Sequence, residues 1–148
     1  MDTENIVKIL SELVEIKSIS SDKNHGSDVL KSAEYVKDLF SSLGLNTKIA
    51  TSGESRPAVL AQTEHDPKKK TVLLYAHHDV QPVGDIDKWK TEPFTPQIID
   101  GRLYGRGSGD NKAGVVTHYE VVKALKDNLP VNIKAVSYTH LTLPTKDS

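Results

Sequence analysis

The sequence predicts an α/β fold, a mixed, mainly parallel sheet sandwiched by helices. Three observations carry the expectation. Apolar residues recur at helical spacing in three stretches, and strand-like runs lie between them. The run at residues 71–76 is continuously apolar, as in a strand buried on both faces of a parallel sheet. A chain of 148 residues has room for one ordinary domain, and 36% apolar with 26% charged residues suits a globular protein with a modest core. The formal net charge of −1 gives no bulk attraction to nucleic acid or anionic lipid, so neither is expected as a partner. There is no cysteine, which leaves histidine and carboxylates as the only strong metal ligands. Met1 is followed by polar Asp2-Thr3-Glu4-Asn5, and no apolar run approaches a membrane span, so the expected location is the cytoplasm.

The first helix is expected over 6–16, where Ile6, Ile9, Leu10, Leu13 and Val14 share one face and Asp2 or Thr3 can cap. Residues 18–26 read as a polar loop. The second helix, over 28–43, turns Val29, Ala33, Val36, Leu39, Phe40 and Leu43 inward and stops at Gly44. Strands are expected at 46–50 and 58–63, with a turn at Ser52-Gly53. Asp66-Pro67 and the three lysines after it read as a solvated turn rather than a basic binding patch. After the strand at 71–76, residues 81–94 are irregular and 98–104 contain a turn at Asp100-Gly101. A third helix over 112–125 buries Val115, Tyr119, Val122 and Leu125. The last strand, 131–136, alternates Val131, Ile133 and Ala135 against Asn132 and Lys134.

Chemistry is concentrated at the two ends of residues 73–114. The apolar strand delivers His77-His78-Asp79, which places these groups at the carboxyl edge of the sheet, where open α/β folds keep their sites. His77 can offer a neutral imidazole nitrogen to a metal. Asp79, two residues on in an extended chain, can accept the other ring N–H, while His78 faces elsewhere. Asp110 lies in the turn Gly105-Arg106-Gly107-Ser108-Gly109-Asp110, whose glycines permit backbone angles closed to other residues. Taken alone, a His-x-Asp pair is usually accidental, and a glycine-rich turn before a helix can also cradle phosphate. Here the spacing is not that of a P-loop, and an acid occupies the place a phosphate would take, which favours a cation.

The string Tyr75-Ala76-His77-His78-Asp79-Val80-Gln81-Pro82 resembles the first metal motif of the aminoacylase/carnosinase-like family of co-catalytic zinc metallopeptidases. Trp89, Pro93-Phe94 and residues 100–107 resemble the segment that follows it in the dipeptidase branch. Ser108-Gly109-Asp110-Asn111-Lys112-Ala113-Gly114 resembles the second motif, 33 residues after His77. The resemblance covers roughly residues 3–136. It implies a metal-dependent hydrolase of dipeptidase type that cleaves a peptide bond with metal-activated water. His77 would bind one metal, Asp79 would support His77, and Asp110, followed by a cis peptide bond, would bridge two ions. Those ions would be zinc foremost, with manganese or cobalt as alternatives. It further implies a glutamate general base after the next strand, a dipeptide or small N-acyl amino acid substrate, and a homodimer formed through a further domain.

The pattern stops after Val136. An acidic pair is expected near residues 140–143, where the chain reads His140-Leu141-Thr142-Leu143, and no glutamate follows Glu120. Residues 136–145 correspond, in one reading frame, to the transposase adapter used in preparing sequencing libraries. Residues 1–135 are therefore expected to be the N-terminal part of a metallopeptidase catalytic domain, and 136–148 a non-native tail in which His140 is no ligand. The 148-residue chain is expected to be an inactive fragment with exposed sheet edges and apolar helix faces. An N-acyl amino acid deacylase or desuccinylase shares the same metal motifs, and a non-catalytic binding module is the alternative from another class. His25, His65 and His118 are expected to be solvated or hydrogen-bonded rather than metal-bound. Arg106 is assigned to orienting the turn around Asp110, and Trp89 and Phe94 to pinning the long loop.

Overall fold

A computed structural model describes residues 2–51 and 56–139; the expected turn at Ser52-Gly53 and the site-relevant expectations for residues 140–143 lie outside the described residues. Helix α1 (Thr3–Glu15) opens on Asp2, whose carboxylate accepts from the backbone N–H groups of Glu4 and Asn5 at 3.1 and 3.3 Å. Two of the donors that a helix start leaves open are satisfied this way. Helix α2 (Gly26–Ser42) begins two residues earlier than its periodicity suggests, because a 3-10 turn at Lys23–His25, capped by Asp22, feeds directly into it. Strands β1 (Asn46–Ala50), β2 (Ala58–Gln62) and β3 (Thr71–His77) follow, and then the short pair β4 (Gln97–Ile99) and β5 (Arg102–Tyr104). The β4–β5 turn has Asp100 and Gly101 at φ 50° and 74°, the two positive angles of the tight turn whose twist suits a hairpin. Helix α3 (Lys112–Leu125) and strand β6 (Asn132–Tyr138) complete the described chain.

The main sheet has the order β1-β2-β6-β3. The mixed α/β class expected from sequence is what forms, but the parallel share is smaller than expected. β1 pairs β2 and β2 pairs β6 antiparallel, and only β3 pairs β6 in parallel. The cause is connectivity: a short link joins β1 to β2, whereas β3 reaches β6 through α3, the crossover a parallel pair requires. Residues 136–138, assigned from sequence to the tail, extend β6 in register, with Tyr138 opposite His77.

The helices pack on one face of this sheet among the described residues, rather than sandwiching it. Val59, Ala61, Ala76, Ile133 and Ala135 point into a core shared with Leu13, Val36, Phe40, Val115 and Val122. The opposite face carries Leu73 and Tyr75, 62% and 49% exposed, and an open depression of about 370 Å³ beside Leu60, Leu73 and Val136. Strand β3 is thus an edge strand, exposed on one face, not the doubly buried strand its apolar run suggested. Leu125, expected inside, is 44% exposed, because the packed face of α3 ends at Val122. No helix is long and apolar enough to cross a membrane among the described residues.

Phe40, 2% exposed, meets Tyr119 edge to face with ring centroids 6.4 Å apart, joining α2 to α3 over the sheet. Phe40→Ala is expected to lower unfolding stability by about 3–5 kcal/mol, read from the denaturant midpoint at unchanged slope.

Candidate metal centre

Three separated segments build the site. The first is the end of β3 with His77, His78 and Asp79. The second is the turn at residues 105–111, which delivers Asp110 and Asn111 to the start of α3. The third is the stretch after α1, residues 16–20, of which the sequence assigned Ile16 to the first helix and residues 18–20 to a polar loop. There the structure departs from expectation. Ile19 forms a parallel bridge with Val80, the Val80 N–H donates to Ser18 O at 2.9 Å, and Ser18 and Ser20 are buried. The Ser18 and Ser32 hydroxyls both donate to the carbonyl of His78, at 2.8 and 3.1 Å. Alternation of Ser18 and Ser20 with apolar Ile16 and Ile19 nearby was the signal available, but three residues are too short a run to read as a strand.

The structure brings His77, Asp79 and Asp110 together. The His77 ring lies between two carboxylates: Nδ1 is 3.2 Å from Asp79 Oδ1 and 3.1 Å from the Asp79 carbonyl, and Nε2 is 3.0 Å from Asp110 Oδ1. Both Nδ1 partners only accept, so Nδ1 carries a proton. The bond from Asp79, opposed by burial and helped by the Asp79 carbonyl and charge and by Asp110, pushes His77 up to about 9. Burial works to raise the Asp79 carboxyl, but bonds from His77 and Ser20 and the adjacent imidazole charges hold it below its ordinary value. Asp110 is the open member, its side chain 90% exposed. The Asp110–Asn111 peptide bond is cis.

His78 points the other way. It is fully buried, burial pushes its ring down to about 4, and Nε2 lies 3.2 Å from the carbonyl of Pro57, to which it donates. His25 bonds Asp28 at 2.7 Å, His65 is exposed, and His118 is held below its ordinary value by burial against the core. Arg106 donates to the carbonyls of Pro82 and Val83 and stacks over the Trp89 ring at 4.9 Å, while Trp89 Nε1 donates to Val83. These contacts tie the long loop to the glycine-rich turn.

Lys112, singled out only as part of a motif, proves central. Its side chain is fully buried, and Nζ donates to the carbonyls of Leu13 and Ile16 at 2.6 and 2.8 Å. These carbonyls lie at and just past the C-terminus of α1, where each also accepts a backbone N–H, from Ile16 and Ser18, and a cation there complements the helix dipole. Burial pushes the ammonium down to about 7 against the pull of the Asp79 and Asp28 carboxylates. Of the turn glycines only Gly107 has a positive φ, 89°; a Cβ there would sit 2.6 Å from Val80 Cγ1 and 3.1 Å from Lys112 Cδ.

An imidazole nitrogen and a carboxylate oxygen 3.0 Å apart, the imidazole backed by a second carboxylate, are the donor types a divalent transition metal takes. His77 and Asp110 therefore fit as a pair of ligands, but no group of three or more histidine, aspartate or glutamate side chains is arranged around one cation position among the described residues.

Comparison with known proteins places the chain among peptidase-like sequences. Residues 73–139 match the model of peptidase family M20/M25/M40. The chain is 35% identical over 143 residues to a Cys-Gly metallodipeptidase of Schizosaccharomyces pombe, covering 88% of this chain and 30% of that protein. It is 42% identical over 101 residues to a β-Ala-His dipeptidase of Rattus norvegicus, covering 64% and 20%. The crystal structure of human carnosine dipeptidase 1 superposes with a TM-score of 0.84 at 33% identity, over 91% of this chain and 32% of that one. The chain thus spans 20–30% of the length of these curated relatives.

Three substitutions test the scaffold. Lys112→Met removes two charge-assisted bonds and is expected to lower stability by on the order of 3 kcal/mol in denaturant unfolding. Gly107→Ala is expected to lower it by about 2–4 kcal/mol through strain and overlap, whereas Gly109→Ala, with no atom within 4 Å of the new methyl, should stay within about 1 kcal/mol.

Proposed function

We infer the function of this chain from its match, through residues 73–139, to the model of peptidase family M20/M25/M40 and from its similarity to the dipeptidases above. It is the N-terminal part of a metal-dependent hydrolase of dipeptidase type, with residues 1–135 belonging to the catalytic domain; β6 and the family match run on to residues 138 and 139, past the start of the tail expected at 136. His77 and Asp110 would hold the metal, Asp110 as the ligand shared by two divalent ions, and Asp79 would be the partner that orients His77. The observation that carries the reading is the His77 ring held between Asp79 and Asp110, with one nitrogen protonated toward a buried carboxylate and the other turned to an exposed one.

Zinc is the proposed ion, with manganese or cobalt as alternatives, since imidazole and carboxylate suit all three. The chemistry such ions supply when bound is polarisation of a scissile carbonyl and a lowered pKa for a bound water. The chain's own residues contribute the rest. Asp79 holds the His77 proton on Nδ1 and leaves Nε2 toward the cation position. Lys112 and the turn around Gly107 fix where Asp110 emerges. Arg106 keeps the loop carrying Pro82 and Val83 against that turn. The substrate class is a dipeptide, as the names of the relatives suggest, and the complete protein is proposed to be a cytoplasmic homodimer.

The glutamate base implied by the family resemblance has no counterpart after Glu120.

The test starts from the source DNA, by recovering the reading frame beyond Ala135 and expressing what it encodes. An acidic pair followed by further aspartate and histidine ligands is expected. The protein should hydrolyse Cys-Gly with zinc or manganese and stop with a chelator. His77→Ala and Asp110→Asn should each lower kcat/KM by more than the roughly 10–100-fold that losing an outer partner costs. A frame that ends at Ser148 in clean DNA, or hydrolysis indifferent to both substitutions, would overturn the assignment.

A further inference from the structure

We propose that Ser20 is a positioning residue, fixing the Asp79 carboxylate so that His77 keeps its proton on Nδ1 and presents Nε2 toward Asp110. The inference rests on the metal-ligand reading of His77 for its consequence, but its geometry stands without it. Asp79 and Ser20 are each 6% exposed. The Ser20 hydroxyl donates to Asp79 Oδ2, and the other oxygen, Oδ1, faces His77 Nδ1 at 3.2 Å. An ionised carboxylate can only accept, so the direction of both bonds follows: the serine O–H and the imidazole N–H each donate to one oxygen.

The serine itself is held in place. Segment 16–20 lies along the end of β3, through the Ile19–Val80 bridge and the bonds from Val80 N to Ser18 O and from Ser18 Oγ to His78 O. Its entry is anchored by Lys112, which donates to the Ile16 carbonyl. Ser20 therefore reaches Asp79 from backbone registered on the same strand that carries His77, two bonds removed from the cation position. Removing the hydroxyl takes away the bond that Ser20 gives to Oδ2 in a buried place. The carboxylate is then held less firmly, and the Nδ1 proton moves toward the Asp79 carbonyl.

A purely structural serine would alter stability and nothing at the imidazole, so the deciding readout is on the ring. In the metal-free 148-residue chain the His77 Nδ1 proton, sheltered by Asp79, should give a downfield resonance slowed in exchange with water. Ser20→Thr should retain it. Ser20→Ala should shift it or lose it to exchange, and Ser20→Cys, which fills the same space with a weaker donor, should do likewise even if the alanine variant folds poorly. Zinc affinity of the folded chain should fall roughly 10-fold or more in Ser20→Ala and Ser20→Cys and stay within about 3-fold in Ser20→Thr. A Nδ1 resonance and zinc affinity both unchanged in Ser20→Cys would overturn the proposal. If zinc leaves the wild-type His77 ring unmoved, the metal reading fails, and the metal-free resonance alone still decides the role of Ser20.

Discussion

The buried ammonium of Lys112 is the contact on which the arrangement depends. It enters from the first residue of α3 and ends on the carbonyls of Leu13 and Ile16, so one side chain closes the open end of α1 and fixes the start of α3. Both neighbours of the site follow from that clamp. On one side the chain leaving Ile16 runs along β3 and places Ser18 and Ser20 against His78 and Asp79. On the other, Asp110 is two residues away and has little freedom to wander. Burying an ammonium is costly unless its donors are used, and here the carbonyls of Leu13 and Ile16 at the end of α1 accept from it.

From this clamp the site reads as a relay of directed hydrogen bonds. Ser20 holds Asp79, Asp79 holds His77, and His77 turns its remaining nitrogen to Asp110. Burial decreases along the series, from Ser20 and Asp79 at 6% to an Asp110 side chain that is 90% exposed. The inner members are thus in low-dielectric surroundings where geometry is enforced, and the outer member stands where an incoming cation or substrate can meet it.

Much of this was legible in the sequence. The spacing of Val29, Ala33, Val36 and Phe40 gave the second helix its inward face, and the limits of α3 agree with the expected 112–125. His77, Asp79 and Asp110 were legible as chemistry because the motifs around them resemble a known pattern. The docking of Ser18 and Ser20 was hidden, because buried serines look like solvated ones when their partners lie about sixty residues away. The exposure of β3 was hidden for a different reason. An apolar run reports what a strand can bury, whereas its neighbours decide what it does bury, and here the helices cover only one face among the described residues. The antiparallel share of the sheet is likewise a matter of connection length, which periodicity does not carry.

The measurement that bears most directly on the account is anomalous scattering from a crystal of the 148-residue chain soaked in zinc. A peak within bonding distance of His77 Nε2 and an Asp110 oxygen, with Asp79 still on Nδ1, is the expected result. A peak at the His25–Asp28 pair alone, or a His77 ring turned away from Asp79 with zinc present, would contradict it.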